Sequence, residues 1–309
     1  MKKNILIIFL LVAHFSPYAQ SIYSRSFGNK KNPAAIFLHG GPGYNCVNFE
    51  ATTAQRLADK GFYVIVYDRR GEGRSADPKA SFNFKETNDD INQLYQQYGI
   101  TQAMLIAHSF GGLVATMYAS QFPEKVKSIV MVGAPVSLQE TFRTIQKSVQ
   151  RIYEEKKDTV NLKYLTMLQQ MDSTSLPYSS YSFMHAMQNG FYTPKKMSEE
   201  ASALYRLFKT DTLLTQYAGK MTFEGPKGFW EKEHYTMLNL TEPIKKIQKS
   251  HIKIYGLYGK EDGLYAAYQI ESLAKIIGEE NLLYFDNCSH NVFIDQQSAF
   301  LNALTKWKQ

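Results

Sequence analysis

Apolar residues along this chain gather into short runs, each ending at glycine or a charged turn, with amphipathic stretches between them. Ala34–Leu38, Phe62–Tyr67, Ala103–Ala107, Val126–Val132, Ile252–Tyr258 and Asn281–Phe285 are short enough to be buried strands. Phe62–Tyr67 (FYVIVY) adds the β-branched and aromatic content that fits a pleated surface. Helical spacing follows most runs. It covers Phe49–Lys60, stopped by Gly61, a stretch near Thr87–Tyr98, and Leu113–Phe122, closed by Pro123. It returns at Tyr265–Ile277 and Asp295–Trp307. Strand alternating with helix predicts an α/β protein with a mainly parallel sheet and crossover helices.

The alternation breaks once. From Ser137 to about Asn239 no strand is evident, and helical periods lie near Thr141–Lys156, Leu162–Met171 and Glu199–Leu214. Because the strand pattern resumes afterwards, residues 136–239 read as a helical cap inserted into one core, formed by residues 20–135 and 240–309.

The N-terminus has its own pattern. Met1-Lys2-Lys3 precedes an apolar run, Ile5–Ala13, and then Pro17 and the small Ala19. Residues 1–19 therefore read as a secretory signal, with a buried first helix or an uncleaved anchor as the alternative, and the protein is expected to be exported, to a periplasm or outside the cell. The run is too short for a membrane span, which needs roughly 20 residues. The formal charge of +7 is spread among acidic residues, without a basic block interleaved with aromatics, so nucleic acid is not an expected partner. Two cysteines, Cys46 and Cys288, offer no metal-ligand spacing and no disulfide framework. They are expected as unpaired buried thiols, with a single bridge as the alternative. No metal or organic cofactor is implied.

Chemistry concentrates where the runs end. Ala107-His108-Ser109-Phe110-Gly111 joins a strand to a helix with small residues on both sides, the context of a nucleophile elbow. A serine capping an ordinary helix would read the same way. His39-Gly40-Gly41-Pro42-Gly43 ends the first strong strand in a loop with unshielded amides, suited to holding an oxyanion. Gly41 and Phe110 are the expected amide donors. Asp68–Ser75 (DRRGEGRS) ends the next strand; taken alone it is a solvated charged turn. Asp262 and His290 each follow a later strand, and C-terminal strand ends of a parallel sheet share one edge. Ser109, Asp262 and His290 can therefore meet there as nucleophile, orienting acid and base. Glu261 and Asp286 are alternatives for the acid.

With these residues the chain resembles the α/β-hydrolase family over essentially its whole mature length, in the family's order of serine, aspartate, histidine. The HGGPG and DRRGEGRS strings look like the proline iminopeptidase branch, although esterases and epoxide hydrolases share the second. An epoxide hydrolase has an aspartate at the elbow, where this chain has Ser109. The resemblance implies a serine peptidase releasing N-terminal residues, preferably proline, from short peptides. It also implies cap carboxylates that bind the free amine, often beside tryptophan. Trp230-Glu231 is the candidate here, with Glu233 and Glu224 nearby. A carboxylesterase or lactonase acting on small esters, and a ligand-binding receptor of the same fold, remain as alternatives.

Overall fold

The computed structural model describes residues 22–308. The segment read as an export signal lies outside them. Seven strands form one sheet in the order β1-β3-β2-β4-β5-β6-β7. They are β1 Ser24–Phe27, β2 Ala34–Leu38, β3 Tyr63–Tyr67, β4 Ala103–His108, β5 Val126–Val132, β6 Lys253–Gly259 and β7 Leu282–Phe285. All pairs are parallel except β1 with β3.

The central strands read as continuous apolar runs because helices cover both faces. β3 and β4 are buried at every position. Alternate residues enter different cores: Ile65 and Leu105 join one cluster, Val64 and Ile106 the other. β1 was not expected. It is an edge strand of mixed composition, half-buried, and carries no continuous run.

The predicted helix at Phe49–Lys60 spans residues 47–59 and contains a π-helical stretch, Glu50–Ala54. The predicted last helix, Asp295–Trp307, runs Gln297–Lys306, and a short helix not expected, Val292–Asp295, precedes it. Between β5 and β6 the chain leaves the sheet and returns. Ser137 bridges Asn239, and the Leu240 N–H donates to the Val136 carbonyl at 2.7 Å. The helices in between include two not expected from periodicity, Leu176–Gln188 and Glu224–Glu233. The predicted helix Glu199–Leu214 breaks at Asp211, whose side chain caps the next helix through the Leu214 N–H. Cys46 and Cys288 are buried and unbridged.

Candidate active site

Ser109 sits between the end of β4 and the helix Gly111–Gln121, in the left-handed region at φ 53°. Such backbone is costly for a residue with a Cβ and persists only where its surroundings hold it. Here the Ser109 N–H donates to the Val132 carbonyl of β5 at 3.0 Å. The turn can be this sharp because Gly111 has no side chain: a Cβ there would lie 2.1 Å from the Leu38 carbonyl oxygen. Gly40 packs closely too, its would-be Cβ 3.1 Å from the Cβ of Ser109.

His290 and Asp262 come from the loops after β7 and β6. His290 Nδ1 lies 2.8 Å from Asp262 Oδ2, both side chains buried. With Nδ1–H donating to the carboxylate, Nε2 keeps its lone pair. The His290 ring is 4.8 Å from that of His108, the residue before Ser109. Of the alternative acids, Glu261 accepts the Lys195 N–H and Asp286 pairs with Lys260 at the surface. Gly133, at the end of β5, leaves room for the pair: a Cβ there would meet His290 Nδ1 at 3.2 Å and Asp262 Oδ2 at 3.5 Å.

The pocket at Ser109 is a cavity of about 20 Å³ lined by Gly41, Ser109, Phe110, Pro135, Leu138, Thr141, Phe183, Tyr235, Leu264 and Tyr265. That is room for about one water. Among the described residues, neither the Gly41 nor the Phe110 N–H has an acceptor in the protein. Two unpaired amides beside a serine hydroxyl can receive a developing negative charge.

The cap carboxylates lie elsewhere. Glu231 is half exposed, 3.8 Å from Lys227 one turn earlier. Glu233 accepts the Phe84 N–H at 2.7 Å, at the start of the helix Phe84–Tyr98, where orphan amides need an acceptor. Trp230 donates to the Thr174 carbonyl. None of the three lines the pocket. The remaining carboxylates of residues 136–239 are also committed or exposed. Glu140 pairs with Arg143 and Tyr268, and Asp172 bonds Thr174. Asp158 and Asp211 cap helices, and Glu200 accepts from Ser298. Glu154, Glu155, Glu199 and Glu224 face solvent. Adjacency of Trp and Glu in sequence says nothing about which way either points once a helix forms.

Several buried groups around the site carried no sequence signal. Asp295 accepts the Ser289 N–H and the Tyr205 hydroxyl, both at 2.8 Å, and burial pushes its carboxyl up to about 6. Burial holds His108 well below the usual imidazole range, assisted by His290. His39 is held low as well, by burial and then by Arg69. The Asp68–Ser75 string is not a solvated turn: Asp68, Arg69 and Glu72 are buried.

The family model for the alpha/beta hydrolase fold matches residues 33–297. The chain belongs to that family. Proline iminopeptidase of Saccharolobus solfataricus is 24% identical, over 97% of this chain and 95% of its own length. A proline iminopeptidase-related protein from Thermus thermophilus superposes with a TM-score of 0.64 at 22% identity, covering 92% of each chain. An esterase from Exiguobacterium antarcticum gives 0.60 at 18%, covering 93% of this chain and 95% of its own. This chain is thus an α/β-hydrolase similar to proline iminopeptidases, at an identity that leaves the substrate open.

Proposed function

We propose that this protein is a serine hydrolase that cleaves small, uncharged acyl esters or amides through an acyl-enzyme. The reading rests on Ser109 standing on a left-handed turn and sharing a pocket with Gly41 and Phe110, and on His290, paired with Asp262, whose ring lies 4.8 Å from that of His108, the residue before Ser109. His290 Nε2 takes the Ser109 proton as Oγ attacks the acyl carbon. The amides of Gly41 and Phe110 receive the oxyanion. His290 then returns the proton to the leaving group, and water releases the acyl group by the same steps. Asp262 fixes the imidazole tautomer and stabilises its charged form.

The substrate class follows from the lining. The pocket residues are all uncharged and largely apolar, and none of the cap carboxylates lines the pocket to pair with an ammonium. A buried ammonium without a partner is costly, so a neutral acyl group suits this pocket best. A second reading, release of an N-terminal residue from short peptides, is supported by the full-length similarity to proline iminopeptidase.

A fluorophosphonate probe should label the parent at Ser109 and leave Ser109→Ala unlabelled. A panel of p-nitrophenyl esters and proline p-nitroanilide should show turnover concentrated on the esters. Preference for the proline anilide would favour the second reading, and no labelling at all would favour an inert binder. Export is proposed on the N-terminal pattern alone, and cell fractionation with N-terminal sequencing of the mature protein tests it.

A further inference from the structure

The loop expected to hold the oxyanion is gripped from behind by a buried ion pair. Arg69 and Glu72 are 2% and 0% exposed, with Nη2 2.8 Å from Oε2. Arg69 Nη1 donates to the His39 carbonyl at 2.6 Å and Nη2 to the Gly40 carbonyl at 2.5 Å. Glu72 Oε1 accepts the Gly43 N–H at 2.9 Å. The pair therefore holds residues 39–43 near both ends. His39 completes the grip: its Nε2 accepts the Arg69 N–H at 3.0 Å, which leaves Nδ1–H to donate to the Gly40 carbonyl at 2.8 Å.

The direction of one amide follows. Among the described residues only Gly41–Pro42 is cis, so the Gly40–Gly41 peptide is trans. In a planar trans peptide the N–H points opposite to the C=O. With the Gly40 carbonyl turned onto Arg69, the Gly41 N–H is turned away from Arg69, and Gly41 lines the pocket at Ser109. This peptide lies between two glycines, which leave rotation of its plane almost unrestrained by side chains. The loop's own sequence therefore does not fix the direction of this amide.

Building on the acyl-transfer reading, we infer that the buried Arg69–Glu72 pair is the positioning device of the oxyanion site, holding the Gly40–Gly41 peptide so that its N–H faces the pocket. The same guanidinium lies 5.2 Å from the ring of Phe110, the residue assigned the second amide. Arg69 touches no reacting atom and acts through Gly41.

The test uses Arg69→Met, Arg69→Lys and the double variant Arg69→Met/Glu72→Leu, which leaves no buried charge unpaired. For folded variants, kcat on p-nitrophenyl acetate and affinity for an alkyl boronic acid are measured. The boronate places an oxygen where the oxyanion forms. In the Met variants both should fall together by about 100-fold, the scale of losing one oxyanion donor, with KM within about threefold of the parent. A lysine cannot bridge two carbonyls as the planar fork does, so Arg69→Lys should recover only part of kcat. If neither Met variant folds, Arg69→Lys decides, with an expected fall in kcat of about tenfold at unchanged KM. Parent-like kcat and boronate affinity in a folded variant would overturn the inference while leaving the serine-hydrolase reading intact. A parent protein that neither turns over ester nor takes the fluorophosphonate label would overturn both.

Discussion

At the scale of single residues, the proposed nucleophile Ser109 stands on backbone that stability disfavours. Its left-handed backbone is unfavourable for any residue with a Cβ, and glycine would relieve that strain. Ser109→Gly and Ser109→Ala should both be inactive, but the glycine variant should be more stable than the alanine one by about 1 kcal/mol. Urea unfolding of the two variants measures this. Equal stabilities would mean that the turn is not strained in solution. Gly111 presents the opposite case. Its alanine variant drives a Cβ against the Leu38 backbone, and backbone in a central strand has little freedom to move. Gly111→Ala should cost about 2 kcal/mol or more and remove activity with it. Much of this was legible in the sequence, because an elbow demands small residues at fixed offsets. The Arg69–Glu72 pair was not, since charged residues in a glycine-rich turn are ordinarily solvated. Glu233 was misread for a related reason. An amide on another helix took it, and no local pattern announces a partner 149 positions away.

At the scale of elements, strand ends carry the residues of the proposed site and the loops after them are fastened to one another. The β-runs were legible because both faces of the central sheet are covered, leaving little polarity to interrupt them. The cap was legible as a stretch without strands and, in part, through the helical periods near Thr141–Lys156, Leu162–Met171 and Glu199–Leu214, but not in every helix. Its helix Leu176–Gln188 places Ser179, Ser182 and His185 among its buried residues, which blurs the apolar stripe. Asp295, on the short helix after the His290 loop, shows what such fastening costs. Its carboxyl titrates near 6, above an ordinary aspartate, because burial penalises the charge. A raised folded-state value favours the folded protein below the unfolded value near 4, and that advantage is lost as pH rises through about 6. Asp295→Asn has no such titration. Its stability relative to the parent should therefore rise between pH 4 and pH 8, by up to about 3 kcal/mol. Urea midpoints at the two pH values read the difference. A constant offset between the proteins would show that Asp295 ionises normally.

At the scale of the whole molecule, the cap closes the site and is clasped to the same loops that carry Asp262 and His290. The Ser289 hydroxyl donates to the Phe191 carbonyl at 2.8 Å, and the Lys195 N–H donates to Glu261. The Tyr192 ring meets that of His290 edge-on at 5.0 Å. Tyr205, on the cap helix Glu199–Thr210, donates to Asp295 at 2.8 Å. A cavity of about 20 Å³ is smaller than an acyl group, so part of the cap is expected to move before a substrate enters. The apparent affinity is then reduced by the small fraction of open molecules. Tyr205→Phe keeps the ring and deletes one cap-to-core hydrogen bond, worth about 1 kcal/mol. If the clasp sets the open fraction, that change raises it about fivefold. KM for a neutral ester should fall by about the same factor, because opening precedes binding. The value of kcat should stay near the parent's, because Asp295 still holds the Ser289 N–H and the His290–Asp262 pair is untouched. Fluorophosphonate labelling at low probe concentration should accelerate in step. An unchanged KM and labelling rate would show that substrate enters without moving this part of the cap. A fall in kcat would instead make Tyr205 a support of the His290 loop rather than a latch on the cap.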